Sequence, residues 1–268
     1  MADRFPPAVS SAALSVQRED ALTVHHALPE ETPVAMVFDA TTLAVMMASP
    51  ADIEDFATGF TLTEGVVDDA AEIEEIRVVA HPAGLEAQMW LAGDRGERLA
   101  RRRRSMVGPV GCGLCGIESL EAAIRALPQV GGAGLPASQI AEATDALRRM
   151  QPLHDATRAV HAAGFVLPGR GVVLAREDVG RHNALDKLIG AMARGGIDAS
   201  RGAVVLTSRV SLEMVQKTVM AGAGLLIAVS APTAHAVRLA DTAGLTVAAL
   251  ARGGGFETFT HPRRVLPG

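Results

Sequence analysis

Two cysteines are the only thiols in the 268-residue chain, and they stand three apart in Val110-Gly111-Cys112-Gly113-Leu114-Cys115-Gly116-Ile117-Glu118. Glycines on either side let the backbone turn sharply and leave the sulfurs uncrowded. The segment from Ile117 to Leu127 has a helical pattern, so Cys115 stands near a helix start, where unpaired N–H groups and the helix dipole favour a thiolate. The arginine run Arg101 to Arg104, a few residues upstream, would favour it further. This pattern suits nucleophilic sulfur transfer, in which one thiolate carries sulfane sulfur and the other assists its release.

Zinc is the rival chemistry. Two thiols do not complete a ligand set, no nearby His-x-x-x-His or second Cys pair supplies the rest, and His154, His161 and His182 lie tens of residues away. A zinc deaminase carries His-x-Glu and Pro-Cys-x-x-Cys, whereas His161 is followed by Ala162-Ala163 and Gly111 precedes Cys112. A dithiol oxidoreductase is a third option, although its Cys pair normally follows a strand in a small βαβ fold. The plainest alternative is a pair of small apolar residues in a glycine turn. The spacing alone does not separate sulfur carriage from disulfide exchange.

A second group of residues suits anion binding. Ala175-Arg176-Glu177-Asp178-Val179-Gly180-Arg181-His182-Asn183-Ala184-Leu185-Asp186-Lys187 leaves a strand pattern and enters a helix. Open α/β sheets bind ligands at the carboxyl ends of their strands, where helix N-termini hold anions. Arg176, Arg181, His182, Asn183 and Lys187 are therefore candidate phosphate or base contacts, the alternative being a loop in which Glu177 and Asp178 neutralise the arginines. Thr207-Ser208-Arg209-Val210-Ser211 repeats the arrangement after the next strand, adding Ser208, Arg209 and the later Lys217. Ser230-Ala231-Pro232-Thr233 is a weaker third case, since its hydroxyls serve equally well as helix caps. Leu250-Ala251-Arg252-Gly253-Gly254-Gly255-Phe256 offers backbone N–H groups and a guanidinium suited to a phosphate, or else a hairpin turn. It has neither a P-loop nor a dinucleotide fingerprint, which argues against an NTPase or a dehydrogenase.

The elements that must position these groups follow from periodicity. Val34–Phe38 and Leu43–Met47 read as a hairpin around Asp39-Ala40. Ser49-Pro50 reads as a cap and first-turn proline for a helix whose Ile53, Phe56, Ala57 and Phe60 share a face, ending at Gly65. Residues 1 to about 30 look mixed and turn-rich. Strands are expected at Glu75–Ala80 and Glu86–Leu91, and a helix at Ser138–Met150. Then come strands at Ala159–Leu167, Val172–Ala175, Ala203–Thr207, Leu225–Val229 and Thr246–Leu250, with helices over His182–Met192 and from Ser211 and Thr233. Strands alternating with helices at this pitch imply a parallel or mixed sheet with flanking helices. The expected organisation is an α/β domain over 138–268 joined to a smaller α+β region over 1–137 that carries the Cys loop.

Composition fits that architecture: 49% of residues are hydrophobic, 21% are charged and there is no Tyr, so the core rests on Ala, Val, Leu, Ile and Met. A net charge of −5 gives no global attraction to nucleic acid or an anionic membrane. No apolar run is long enough to cross a bilayer, and the first residues carry no signal-peptide pattern, so a cytoplasmic protein without a membrane partner is expected.

The long motifs, the Cys loop, Arg176 to Lys187, and Ser208-Arg209-Val210-Ser211-Leu212-Glu213-Met214-Val215-Gln216-Lys217, together with Ala48-Ser49-Pro50 through Glu64-Gly65, closely resemble the FdhD family of formate dehydrogenase accessory sulfurtransferases, from about residue 30 to the end. The resemblance implies a carrier that takes persulfide sulfur from a cysteine desulfurase and delivers it to the molybdenum or tungsten bis(guanine dinucleotide) pterin cofactor, bound as cargo, before it enters formate dehydrogenase. It implies a core similar to cytidine deaminase, no intrinsic metal, and a homodimer. It also implies that Cys112 carries the persulfide with Cys115 as partner, and that Leu250 to Gly255 binds the cofactor, although three consecutive glycines depart there from the family pattern. A cofactor chaperone that uses its thiols only structurally is the alternative.

Overall fold

The computed structural model describes residues 5–17, 20–93, 99 and 127–267, and opens on an antiparallel ribbon, β1 (Ala8–Gln17) with β2 (Asp20–Pro29). The sequence pattern suggested turns here. The ribbon gives no amphipathic signal because neither face enters a core, and Val16 and Leu22 are 63% and 69% exposed.

β3 (Thr32–Phe38) and β4 (Thr41–Ala48) form the expected hairpin, with Asp39 and Ala40 both at positive φ as a tight turn matching strand twist requires. β5 (Ile73–His81) and β6 (Gly84–Leu91) complete a four-stranded sheet in the order β4-β3-β6-β5, with β3 and β6 parallel. Alternate residues Val34, Met36 and Phe38 point inward and are fully buried under helix α1 (Ile53–Thr63), which contributes Phe56 and Phe60. The start of α1 differs from the expectation. Asp52, not Ser49, precedes the first helical residue, in a left-handed conformation with no side-chain cap bond. The Ser49 hydroxyl instead accepts the Val179 N–H at 3.1 Å, a bond to a segment 130 residues away that outcompetes local capping.

The remainder is a mixed α/β unit. β7 (Leu135–Pro136) leads into α2 (Ala137–Arg148) and the short α3 (Pro152–Thr157). β8 (His161–Leu167), β9 (Gly171–Asp178), α4 (Arg181–Arg194), β10 (Ala203–Leu206), α5 (Leu212–Met220), β11 (Leu225–Ala228), α6 (Ala234–Thr242), β12 (Thr246–Arg252), β13 (Gly255–Thr260) and β14 (Val265–Leu266) follow. β14 pairs with β7, and the six-stranded sheet runs β13-β12-β11-β10-β8-β9. β10, β11 and β12 are parallel, whereas β8, β9 and β13 join antiparallel. α3 and β13 were not expected from the sequence, and the Ile117–Leu127 helix lies almost wholly outside the described residues. Buried strands alternate between two layers. Val204, Leu206, Leu226 and Val247 pack toward α4, α5 and α6, while Ala203, Val205, Leu225 and Ala248 pack toward α2.

α1 and α4 join the two sheets across the expected 137/138 boundary, and they meet unusually closely. A Cβ on Gly59 would fall 1.8 Å from the Asp186 carbonyl oxygen, and one on Gly190 1.8 Å from that of Asp55, so only glycine permits the crossing. Charges flank it on both sides. Lys187 Nζ lies 2.6 Å from Asp178 Oδ2 and donates to the Ser49 carbonyl at 2.8 Å. Asp178 also accepts from the Ser49 and Gly180 N–H groups and from Asn183. From α5, Lys217 donates to both oxygens of Asp186, at 2.9 and 2.8 Å, and to Glu64 at 3.1 Å. Arg176 and Arg194 converge on Asp55.

Candidate functional site

The carboxyl ends of the parallel strands open into a cavity of about 630 Å³. Thr207 after β10, Val229 after β11, and Ala251 and Arg252 at the end of β12 form its floor, with Val179 from beyond β9. α2 contributes Thr144, Asp145 and Arg148, and the stretch around α3 contributes Gln151, His154, Arg158 and His161. Arg148, Arg158, Arg252, His154 and His161 therefore surround one opening, against the single carboxylate of Asp145. Arg148 is partly occupied by Asp155 at 2.5 Å, while Arg158 and Arg252 make no ion pair among the described residues.

Local backbone geometry aims these groups. Leu250 adopts a left-handed φ of 54°, rare for a branched side chain, and the β12–β13 pairing shifts register between Ala249 and Arg252. Thr144 donates to the Ala251 carbonyl at 2.8 Å and pins this irregular strand end beside α2. Gly253 and Gly254, at φ 61° and 78°, make the two-residue turn between Arg252 and its partner Gly255. The glycine run is thus explained by hairpin geometry, and of Leu250 to Gly255 only Ala251 and Arg252 line the cavity.

Two groups stand at the start of α4, the Arg181 Nε and His182 Nε2, that are buried without hydrogen-bond partners among the described residues. His182 Nε2 lies 3.7 Å from Glu213 Oε2, an electrostatic contact too long for a hydrogen bond. Burial pushes the Glu213 carboxyl up, but His182, the Ser211 hydroxyl and its own backbone N–H outweigh this and hold it down at about 2. Burial, reinforced by Arg181, His182 and His154 and opposed by Asp178, holds the His161 pKa below its ordinary value. A positive potential converges on this end of the sheet.

The residues expected to contact an anion therefore separate. Arg252 and Ala251 line the cavity, and Arg181 and His182 act electrostatically on His161, which lines it. Lys187 is fully buried against Asp178, and Arg176 is turned into the seam against Asp55, so neither reaches the opening. Arg209 is exposed and Ser208 is buried, its hydroxyl donating to the Arg209 carbonyl; neither lines the cavity. Sequence reasoning missed Arg148, Gln151, Arg158 and the cavity role of His154 and His161. The available signal was density of positive groups: five of the fourteen residues from 148 to 161 are Arg or His. Cys112, Cys115 and Arg101 to Arg104 lie outside the described residues. Among those described, no three His, Cys, Asp or Glu side chains converge as a metal site, and no helix is long and apolar enough to cross a membrane.

The model of the FdhD/NarQ family matches residues 29–266. The chain belongs to the FdhD/NarQ family. A sulfur carrier protein FdhD of Agrobacterium fabrum is 51% identical over 246 residues, 91% of each chain. One from Cupriavidus necator is 46% identical over 265 residues, covering 98% of this chain and 92% of its own. A solved structure from Desulfotalea psychrophila, described as a formate dehydrogenase accessory protein, superposes with a TM-score of 0.79 over 97% of this chain and all of the other. At 23% identity that likeness establishes the family fold alone.

Proposed function

We propose that this FdhD/NarQ protein is a sulfur carrier for formate dehydrogenase maturation, in which Cys112 holds a persulfide. The observation that carries the reading is the Cys112-x-x-Cys115 pair in a chain matched by the family from residue 29 to 266. In the first step the Cys112 thiolate attacks the sulfane sulfur of a cysteine desulfurase persulfide. A new S–S bond forms on Cys112, the donor S–S bond breaks, and the desulfurase leaves as a thiolate, with no net redox change. In the second, the Cys115 thiolate attacks Cys112 Sγ. A Cys112–Cys115 disulfide forms, hydrosulfide departs toward the cargo, and an external thiol resets the pair.

The cargo in this reading is the molybdenum or tungsten bis(guanine dinucleotide) pterin, held through phosphate and base at the strand-end cavity. Its convergent Arg148, Arg158 and Arg252 support that assignment, because guanidinium groups pair with phosphate oxygens. Strand order β9-β8-β10-β11-β12 supports a core similar to cytidine deaminase. No His in the sequence is followed two residues later by Glu, and Gly111 rather than Pro precedes the Cys112-x-x-Cys115 pair, so the proton shuttle and ligand pattern of a deaminase are missing from this reading. A homodimer belongs to the same reading, supported by the β1–β2 ribbon. Apart from Asp20 at the turn, the two strands contain no Asp, Glu, Lys or Arg, and their outer edges, unpaired among the described residues, invite a second copy. The setting is cytoplasmic, with the desulfurase and formate dehydrogenase as partners.

Cys112→Ala tests the carrier role in cells. Formate dehydrogenase activity should collapse while the purified variant still binds the cofactor; retained activity would favour a chaperone that needs no thiol chemistry.

A further inference from the structure

Gln151 occupies a singular position in the cavity wall. It precedes α3, where a residue's side chain ordinarily caps the first free N–H groups of the helix. Here Glu177 does that from the neighbouring strand: its two carboxylate oxygens accept the Leu153 and His154 N–H groups, each at 2.8 Å. The Gln151 amide is thereby released from capping duty. Its residue is 1% exposed, and its Oε1 is buried without a hydrogen-bond partner among the described residues. A buried amide oxygen left unpaired is costly, and the cavity that Gln151 lines is the direction from which a partner can come.

The surroundings specify that partner. Arg148, Arg158 and Arg252 offer positive charge, which suits a phosphate. Val160, Val179, Val229 and Ala251 give apolar wall for a flat ring, and about 630 Å³ is far more than a phosphate alone fills. An acceptor beside such a wall suits an amino or N–H group carried on that ring. A neutral amide can also donate to a ring carbonyl, which makes it a two-way reader of an amino-oxo edge.

We infer that Gln151 is a specificity-determining residue, whose amide oxygen accepts a hydrogen bond from the amino group of a 2-amino-4-oxopyrimidine edge, the edge shared by guanine and pterin. The inference rests on the proposed cargo but goes beyond it, in naming the atom that tells this ring from other bases.

Calorimetry with the whole protein tests it, using GDP, IDP, which lacks only the amino group, and ADP, which carries its amino group elsewhere. GDP should bind the wild type at least about tenfold more tightly than IDP or ADP, and Gln151→Leu should bring GDP to the level of IDP. Equal affinities in the wild type would overturn the inference without any variant. So would a Gln151→Leu protein, folded by circular dichroism, that keeps the GDP preference. Arg252→Glu separates this from failure of the cavity itself. If no nucleotide binds, or if Arg252→Glu leaves GDP affinity unchanged, the cavity is not the nucleotide site and the inference falls with it. If Arg252→Glu weakens GDP while Gln151→Leu leaves the GDP to IDP ratio intact, only Gln151's role is lost. Competition by dihydroneopterin triphosphate would assign the edge to pterin, and its absence alongside tight GDP binding to guanine.

Discussion

The α1–α4 seam and the strand-end cavity are built from the same residue types, yet they treat charge in opposite ways. In the seam, Lys187, Arg176 and Arg194 each face a carboxylate, and the oxygens of Asp178 accept four donors. In the cavity, among the described residues, Arg158 and Arg252 have no carboxylate partner and Gln151 Oε1 has no hydrogen bond. Full pairing in a dry environment holds two units together. In the cavity only the buried Gln151 oxygen carries an unmet desolvation cost, whereas the exposed Arg158 and Arg252 are hydrated and free to take a ligand.

The largest effect should come from breaking a seam pair. Asp178→Ala leaves the Lys187 ammonium, itself 0% exposed, without its carboxylate, and should cost about 3–5 kcal/mol in urea unfolding. Replacing both partners, as in Asp178→Leu with Lys187→Met, should recover much of that loss, because the desolvated charge goes with its partner. A single variant no less stable than wild type would show that the seam is not the structural lock its geometry suggests.

Glu213 sits between the two regimes, close to the cavity end of the sheet but paired with His182 and Ser211. Its pKa is depressed from 4.5 to about 2, so its contribution is fully present above the unfolded value and disappears as pH falls through the folded one. Stability should therefore drop between about pH 4.5 and 2, by roughly 2–3 kcal/mol from this group. Glu213→Gln should be less stable at neutral pH and flatter across that window; an unchanged acid limb would mean that other carboxylates govern acid unfolding.

The contrast also explains what could be read from the sequence. Val204 to Leu206, Leu225 to Ala228 and Val247 to Ala249 are apolar runs between helical patterns, so the parallel strands were legible. The β1–β2 ribbon was not, because alternation marks a strand only when one face is buried. At the site, Arg176 and Lys187 looked like ligand contacts since their spacing in a strand-to-helix motif is visible, whereas the Asp55 and Asp178 carboxylates that neutralise them are found only by folding. Arg252 was legible from its strand end. Arg148, Gln151 and Arg158 come from α2 and the turns around α3, and nothing local says which strand ends they face. The long motifs identified the family well, but much of what they encode is the seam.

The smallest effect on stability, and the most informative, belongs to Arg158. It closes α3 in a left-handed conformation at φ 59°, with its N–H donating to the His154 carbonyl at 2.8 Å, a position where glycine is ordinarily preferred. An exposed arginine held there trades backbone comfort for a charge at the cavity. Arg158→Gly removes that charge and the left-handed strain together, while giving the unfolded chain more freedom, so stability should rise by up to about 1 kcal/mol or stay level. GDP affinity should fall by roughly tenfold, and with one fewer guanidinium it should depend less on salt. A variant that is more stable but binds more weakly places Arg158 with the cavity. One that unfolds more readily while binding GDP as before would place it with the seam, and the division between the two regions would have to be redrawn at α3.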